Sequence, residues 1–207
     1  MEDLWLSFAK RLQSIASTGL HFSRDLYDRQ RYEEVGQIAN EMLARLGTVP
    51  VERIESLVSD FARGYATPKI DIRAAVFQDN RILLVREASD GRWALPGGFA
   101  DIGMSASENA VKEVWEEASV RVAATRLYAI RHKAKHGYPP DARDFYKLFF
   151  LCDPIGDISP QPGVEVADVG FFGLDALPPL SAGRTIGDDI ATAFASRQES
   201  NGYPVFD

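Results

Sequence analysis

The sequence predicts an α+β protein in which a small all-helical domain precedes a domain that combines helices with a sheet. Apolar residues recur at helical spacing from residue 4 to about residue 63, whereas short β-rich runs dominate from residue 70 onward. Between these regions, the run Gly64-Tyr65-Ala66-Thr67-Pro68 has the composition of a linker. We therefore place a helical domain at residues 1–66 and a second domain at residues 67–207.

The helical domain is predicted to contain three helices. Each has an apolar stripe: Leu4, Phe8, Leu12 and Ile15 in the first, Val35, Ile38, Met42 and Leu46 in the second, and Ile54, Leu57 and Phe61 in the third. Gly47 and Pro50 separate the second helix from the third, because glycine suits a helix C-cap and proline cannot continue a helix. A domain this small buries a limited share of its surface. We therefore expect it to need a partner surface, and we expect a homodimer.

The second domain is predicted to contain five strands and two helices. The strands are residues 70–77, 81–85, 126–131, 145–152 and 166–172, and the last helix is residues 188–197. The first two strands are joined by Gln78-Asp79-Asn80, a short polar hairpin connection. The other helix begins after Ser105, which forms a capping-box pattern with Glu108, and runs to about Ala118.

Composition and charge limit the function of the protein. Of 207 residues, 45% are hydrophobic and 26% are charged, which excludes disorder as the main state. The net charge of −7 repels phosphate at long range, so non-specific nucleic-acid binding is disfavoured. A nucleotide partner would need a local basic cluster or a bound cation.

Cysteine usage and the first residues of the chain predict its location. Cys152 is the only cysteine, which excludes an intrachain disulfide and disfavours a cysteine-based zinc site. Acidic residues stand where a signal peptide carries its basic segment, and no uninterrupted apolar run is long enough for a membrane span. We therefore expect a cytoplasmic, soluble protein with no membrane partner.

Three carboxylates dominate the helix that follows Ser105. At helical spacing Glu113, Glu116 and Glu117 share one face, and the apolar residues of the helix lie on the opposite face. We expect the apolar face to pack on the sheet and the acidic face to point away from the core. Such a face is commonly only a solvated helix side. However, Glu113 and Glu117 are a like-charge i,i+4 pair, and clustered carboxylate oxygens suit Mg²⁺.

The run from Gly98 to Val120 resembles the Nudix box, whose pattern is G-x5-E-x7-R-E-U-x-E-E-x-G-U with U aliphatic. The matching positions are Gly98, Glu113, Val114, Glu116, Glu117 and Val120, and the preceding Leu95-Pro96-Gly97-Gly98 also fits. The departures are Met104, Lys112 and Ser119, which replace Glu, Arg and Gly. The helical N-terminal region and the first two strands are similar to the Nudix branch that acts on nucleoside diphosphates linked to a group X.

This resemblance implies a fold and a reaction. The implied fold is an α/β/α sandwich with a mixed sheet. The implied reaction is hydrolysis of the diphosphate of a small-molecule nucleotide of the ADP-ribose or CDP-choline type. Glu113, Glu116 and Glu117 would hold Mg²⁺, with Mn²⁺ as the alternative, and Glu165 on the loop before a late strand would be the general base.

Several other residues are candidates for substrate binding. Arg73 and Arg86 lie on predicted strands and could hold phosphate oxygens bidentately, although an outward strand charge is the competing interpretation. Arg131 and His136 belong to a basic segment after a strand, which could equally be a solvated loop. Two histidines without a third ligand disfavour zinc there. The full set of candidates is Arg73, Arg86, Gly98, Lys112, Arg131 and His136.

The departures from the box leave two alternatives open. One is a Nudix-fold nucleotide-binding or regulatory module without catalysis, which retention of the three glutamates argues against. The other is a pyrophosphohydrolase of RNA 5′ ends, which the lack of an extended basic stripe disfavours. The family pattern has Glu and Arg at the places of Met104 and Lys112, and these two residues resemble a structural ion pair. We expect Met104 and Lys112 to form a repacked support in which Lys112 contacts a helix carboxylate.

Overall fold

The computed structural model describes residues 3–59, 65–199 and 202–207 and divides the chain into two compact units. The first unit contains Met1–Lys69 and Pro140–Phe145, and the second contains Ile70–Pro139 and Tyr146–Asp207. Residues 60–64 lie outside the described residues, and they include Gly64, the first residue of the expected linker. The domain boundary after residue 66 therefore stays a prediction. Among the described helices, none is long and apolar enough to cross a membrane.

The first unit contains the three helices that apolar spacing predicts. They are α1 (Leu4–Phe22), α2 (Leu26–Gly47) and α3 (Val51–Ser59). Phe61, which we assigned to the third stripe, lies outside the described residues, and only the backbone of Leu57 is described. Helices α1 and α2 begin at side-chain caps. Asp3 accepts hydrogen bonds from the Trp5 and Leu6 amides, and Asp25 accepts one from the Asp28 amide. Their small common core consists of Leu6, Ala9, Leu43, Ala44 and Ile54.

The second unit is built on a seven-stranded sheet. In chain order the strands are β1 (Lys69–Gln78), β2 (Arg81–Glu87), β3 (Trp93–Ala94), β4 (Val122–His132), β5 (Phe145–Pro154), β6 (Val166–Phe172) and β7 (Val205–Phe206). Their order across the sheet is β3-β2-β1-β5-β4-β7, and β6 also pairs with β2. The β1–β2, β2–β6 and β4–β5 pairs are antiparallel and the β4–β7 pair is parallel. The expectation of a mixed sheet is confirmed.

One helix covers each face of this sheet. Alternate residues of β1 face opposite sides, so that Ile72 packs with α4 (Ala106–Ala118) and Ala75 packs with α5 (Gly187–Gln198). The α4 side is an apolar core that includes Val114, and the α5 side is a second core that includes Ile190. The expected α/β/α sandwich is therefore confirmed.

Local signals predicted most elements of the second unit, whereas two very short strands were missed. The β1–β2 hairpin is tighter than expected, because Gln78 belongs to β1 and pairs with Arg81. Its two loop residues, Asp79 and Asn80, have φ of 49° and 56°, as the favoured hairpin turns require. The missed strands are β3 and β7, which have two residues each and therefore carry no periodicity of their own.

The α4 C-cap gives a stability prediction. Ser119 has φ of 56°, a left-handed conformation that costs a non-glycine residue about 1–2 kcal/mol. Glycine loses more chain entropy on folding, by about 0.5–1 kcal/mol. We therefore expect Ser119→Gly to raise the free energy of unfolding by about 0.5–1 kcal/mol, measured by urea denaturation. Ser107→Gly, within the first turn of α4, is the matched control and should lower it. Equal shifts in the two variants would contradict this account.

Candidate active site

The segment between β3 and Gly98 is held on both sides by buried polar contacts. The Leu95 amide donates to Thr185 Oγ1 at 3.0 Å, and the Leu95 carbonyl accepts from Arg73 Nη1 at 3.0 Å. Farther along, Ala74 donates to the Pro96 carbonyl, and the Gly98 carbonyl accepts from the Ile72 amide at 2.8 Å. The segment therefore follows β1 closely.

Gly97 connects this segment to α4. Its φ of 146° is unusual for other residues, and a Cβ atom at this position would collide with the Ile72 carbonyl oxygen. The close approach to β1 leaves the Gly97 amide directed at Glu117, whose Oε2 accepts the hydrogen bond at 2.9 Å. The helix carboxylate is thus bound to the loop backbone.

Glu117 corrects the expectation that the acidic face of α4 points wholly away from the core. Its residue is only 9% exposed, because the loop from β3 covers this part of the helix. Burial raises the pKa of Glu117 to about 7, and the nearby charges of Glu113 and Glu87 act in the same direction. The Gly97 amide and the charge of Arg73 oppose the shift. Such a shifted carboxyl is typical of a functional site.

Glu113 is half-buried beside Gly98. A Cβ atom added at Gly98 would lie 2.7 Å from Glu113 Oε1, so the lack of a side chain leaves room for this carboxylate. Burial raises the pKa of Glu113, and the charges of Glu116 and Asp101 add to the shift against Lys112 and Arg73. Glu113 and Glu117 therefore share one electrostatic environment.

Glu116 is the exposed member of the three and is paired with Lys112. The Lys112 Nζ atom lies 2.6 Å from a Glu116 carboxylate oxygen and 3.2 Å from Asp101 Oδ2. Hydrogen bonds to Glu116 and Asp101 raise the pKa of Lys112 above its ordinary value. The expected contact of Lys112 with a helix carboxylate is confirmed. The loop before α4 still provides an acidic partner for Lys112. Asp101 supplies the negative charge that is absent at position 104, where the family pattern has Glu and this chain has Met.

Met104 lies beside an exposed apolar depression. The depression is also lined by Val111 and Trp115 of α4, and Met104 itself is 37% exposed. The Met104 side chain is therefore partly solvated and lies next to the exposed side of α4.

Glu87 is a site residue that sequence analysis missed. It ends β2 next to a register shift, is 9% exposed and pairs with Arg184 at 3.0 Å. Burial raises the pKa of Glu87, and its charge interacts with those of Arg73 and Glu165. The available signal was a carboxylate two residues after the apolar run from Ile82 to Val85.

Glu165 lies on an exposed turn that is anchored to the end of α4. Gln161 donates to the Ala118 carbonyl at 2.9 Å, and Gly163 donates to the Glu117 carbonyl at 3.0 Å. A Cβ atom at Gly163 would collide with the Glu116 carbonyl oxygen. The close packing brings the predicted base to the part of the fold that carries the glutamates.

The two strand arginines have different environments. Arg73 is 3% exposed and binds Asp71 through two hydrogen bonds, of 2.8 and 3.2 Å. It acts electrostatically on Glu117 and Glu87 from within the fold. Arg86 is partly exposed, lies 3.3 Å from an Asp168 carboxylate oxygen and stacks near Trp93. Of the two, Arg86 has the exposure that binding a phosphate requires.

Arg131 and His136 are engaged elsewhere. Arg131 is buried and donates to Asp189 and Thr192 of α5 at 2.9 and 2.7 Å. His136 shares a 2.6 Å hydrogen bond with Asp207. These contacts do not involve the glutamates of α4, so the structure does not bring the two residues together with the rest of the predicted set.

The carboxylates suit a divalent cation by their chemistry. Glu113, Glu117 and Glu87 are partly or largely buried, and the charge of Glu117 is disfavoured by the other two. A hard cation would relieve this repulsion through oxygen ligands. Within residues 3–59, 65–199 and 202–207, no group of three or more His, Cys, Asp or Glu side chains is arranged to hold a metal ion. Glu116 binds Lys112 and Glu117 binds the Gly97 amide, and each of these hydrogen bonds uses only one oxygen of the carboxylate.

Comparisons with known proteins match both regions of the chain. Residues 3–58 match the family described as a UDP-X-like, N-terminal oligomerisation domain, and residues 67–192 match the NUDIX domain. The chain is 41% identical over 207 residues to YjhB of Bacillus subtilis (strain 168), which carries the provisional name ADP-ribose pyrophosphatase. That alignment covers 100% of this chain and 99% of YjhB.

Two solved structures are also similar. An ADP-ribose pyrophosphatase from Streptococcus suis 89-1591 is 42% identical, with a TM-score of 0.62 over 68% of this chain and 100% of that one. A UDP-X diphosphatase is 32% identical, with a TM-score of 0.63 over 98% of each chain. The similarity to the second structure includes the helical region as well as the sheet.

Substitutions at the two adjacent glycines should have different consequences. Gly97→Ala introduces a collision with backbone and a strained φ, so we expect it to lower the free energy of unfolding by about 1–3 kcal/mol. Gly98→Ala meets only the mobile end of Glu113, so its stability should change by less than about 0.5 kcal/mol. Because it displaces that carboxylate, turnover should fall by about 100-fold. Thermal unfolding and metal-dependent turnover of both variants test this, and a fully active Gly98→Ala enzyme would remove Glu113 from the site.

Proposed function

The chain belongs to the Nudix family and is a Nudix pyrophosphatase, and we propose that its substrate is a nucleoside diphosphate linked to a group X. Hydrolysis would yield a nucleoside monophosphate and phospho-X, with ADP-ribose and CDP-choline as the substrate types. The observation that carries the proposal is the clustering of Glu113, Glu117 and Glu87 beside the anchored loop that bears Glu165. The names of the similar solved structures support the same class of substrate.

Glu113, Glu116 and Glu117 are proposed to hold Mg²⁺, with Mn²⁺ as an alternative. Nudix hydrolases generally use divalent metal ions. When bound, the ion would neutralise diphosphate charge, polarise the attacked phosphorus and lower the pKa of a coordinated water. This compensation matters because the protein has a net charge of −7.

The remaining residues are proposed to position the substrate and move a proton. Glu165 would take the proton from the water whose oxygen bonds to phosphorus, while the bridging P–O bond breaks towards the leaving phosphate. Arg86 and Lys112 would bind phosphate oxygens from partly exposed positions, and Gly98 would allow close approach. In this structure Arg131 makes an ion pair with Asp189 and His136 makes a hydrogen bond with Asp207, so their role in binding X would require those contacts to open.

The N-terminal unit is proposed to form a homodimer and to wall the substrate pocket. Its small core leaves several large apolar side chains more than half exposed, which is costly for an isolated unit. They include Leu4, Trp5, Ile15, Phe22, Leu26 and Tyr27. The match of residues 3–58 to an oligomerisation domain supports the same proposal. A cytoplasmic location stays a prediction from the sequence.

Substitution of the glutamates tests the metal assignment. We expect Glu116→Gln and Glu117→Gln each to lower Mg²⁺-dependent turnover by about 100-fold or more with little change in folding, because each loses an anionic oxygen ligand. Glu108→Gln on the same helix is the control, since Glu108 serves only the capping box and should affect stability more than turnover.

The assay uses a panel of ADP-ribose, CDP-choline, UDP-linked and other nucleotide sugars, and triphosphorylated or capped RNA, with release of nucleoside monophosphate as readout. An inactive wild type across the panel would favour a binding module. Preference for RNA would favour the 5′-end alternative. Near wild-type turnover of Glu117→Gln at saturating Mg²⁺ would contradict the metal assignment.

Light scattering tests the dimer. The wild type should have about twice the chain mass of 22.9 kDa at micromolar concentration. Replacing Trp5 and Phe22 together by Glu should shift the protein to monomer, because charged side chains oppose burial in an apolar interface. Tyr203→Glu, an exposed aromatic of the second unit, is the matched control and should leave the mass unchanged. A monomeric wild type would refute the dimer.

A further inference from the structure

A chain of buried charged side chains lies in the second unit and has no place in the reaction described above. Asp71 and Arg73 are on β1 and Lys147 is on β5, and they are 7%, 3% and 1% exposed. Asp71 binds Arg73 through both carboxylate oxygens and accepts a third contact from Lys147 Nζ at 2.9 Å. The ammonium also lies 5.2 Å from the centre of the Tyr138 ring.

Stability alone does not account for this arrangement. Removing three charged groups from water is costly, and apolar residues of similar volume often stabilise a fold equally well. The neighbouring positions on this side of the sheet, such as Ala75 and Phe149, are apolar and form the α5-side core. The charges therefore interrupt a core that could have continued without them.

The contacts of Arg73 lead from this chain to the candidate site. Two of its nitrogen atoms bind Asp71, and the third, Nη1, donates to the Leu95 carbonyl at 3.0 Å. Leu95 begins the segment whose Gly97 amide binds Glu117. Hydrogen bonds from Lys147 to Leu95, the backbone from Leu95 to Gly97 and the Gly97 hydrogen bond thus connect Lys147 to the Glu117 carboxylate.

The alternative anchors of this segment do not fix the same atom. Thr185 binds the amide of Leu95, Ala74 binds the carbonyl of Pro96 and Ile72 binds the carbonyl of Gly98. Arg73 binds the Leu95 carbonyl, which belongs to the Leu95–Pro96 peptide. A guanidinium can bind a carboxylate with two nitrogens and a carbonyl with the third, which an ammonium cannot do. The orientation of the Arg73 guanidinium is in turn set by its two hydrogen bonds to Asp71. Asp71 itself is held in place by the hydrogen bond from Lys147.

We propose that Asp71 and Lys147 are positioning residues of the hydrolase, which act through Arg73 and the Leu95–Gly97 segment to hold the Gly97 amide against Glu117. This assignment rests on the proposed function and replaces phosphate binding as the role of Arg73. Burial opposes ionisation of Asp71, but Arg73 and Lys147 outweigh it and hold the pKa of this carboxyl below its ordinary value. Asp71 is therefore a charged acceptor for both cations.

Three variants test the network. Lys147→Met keeps the apolar stem and leaves the Asp71–Arg73 pair, Asp71→Asn keeps the shape of the side chain, and the third variant combines both changes. Ile82→Ala is the control, because Ile82 lies in the same α5-side core but pairs with Phe77 at the far end of β1. It should destabilise the fold without altering the network.

Two readouts do not require turnover. In the metal-free protein, hydrogen exchange of the Gly97 amide, followed by NMR, should be at least tenfold faster in Lys147→Met and Asp71→Asn, and unchanged in Ile82→Ala under conditions where all are folded. Titration with Mn²⁺ should show affinity weakened by about 10-fold or more in the network variants.

The kinetic readout separates positioning from substrate binding. With the best nucleotide of the panel, kcat should fall by about 10-fold or more while KM stays within about twofold. If both residues act through Arg73, the double variant should be no slower than Asp71→Asn.

The proposal would be overturned if a folded Lys147→Met protein had the same Gly97 amide exchange rate and the same Mn²⁺ affinity as the wild type. This test holds even if Asp71→Asn fails to fold. Equal losses in Ile82→Ala would also overturn it, because they would reflect stability alone. A wild type that cleaves no member of the panel would refute the proposed function instead. The exchange measurement would still show whether Asp71 and Lys147 hold the Gly97 amide in place.

Discussion

The hydrogen bond from the Gly97 amide to the Glu117 carboxylate is the constraint on which the candidate site depends. It joins two elements that are 20 residues apart in sequence, a loop held against β1 and a helix packed on one side of the sheet. At Gly97 the loop lies so close to β1 that a side chain would collide with the strand backbone. This close packing and the hydrogen bond together couple the strand, the loop and the helix. The site is therefore a junction of three elements, and the conformation of each one affects the others.

The same junction concentrates negative charge in a protected environment. Burial raises the pKa of Glu117, Glu113 and Glu87 because solvent cannot stabilise their charges fully. The buried Arg73 and the partly exposed Arg184 offset part of this cost. A cation and the phosphates that accompany it would complete the charge balance, which links the electrostatics of the junction to the proposed reaction.

The departures from the family pattern are accommodated by local physical means. Asp101 takes the position of an acidic partner for Lys112, although this exposed pair contributes little to stability. Ser119 ends α4 in a left-handed conformation that glycine would adopt at lower cost. Both substitutions leave the carboxylates of α4 in place. These departures therefore do not remove the glutamates that are proposed to hold the metal ion.

The sequence by itself determined the features that depend on local contacts. Helical periodicity, the Ser105 capping box and the polar Asp79-Asn80 connection are set by residues a few positions apart, so the helices, the hairpin and the shared face of the glutamates could be predicted. The two-residue strands β3 and β7 could not be, because they exist only through their partners.

Tertiary structure decided the rest of the site. It buried Glu117 beneath a loop and brought Glu87 to the same junction. It also paired Arg73 with Asp71, which binds Lys147 as well, instead of exposing Arg73 to phosphate. The physical reason is that burial and charge pairing depend on atoms from distant parts of the chain. Residue type and spacing can indicate which groups could perform the chemistry, but only the packing of strands, loop and helix sets the environment in which each group is charged.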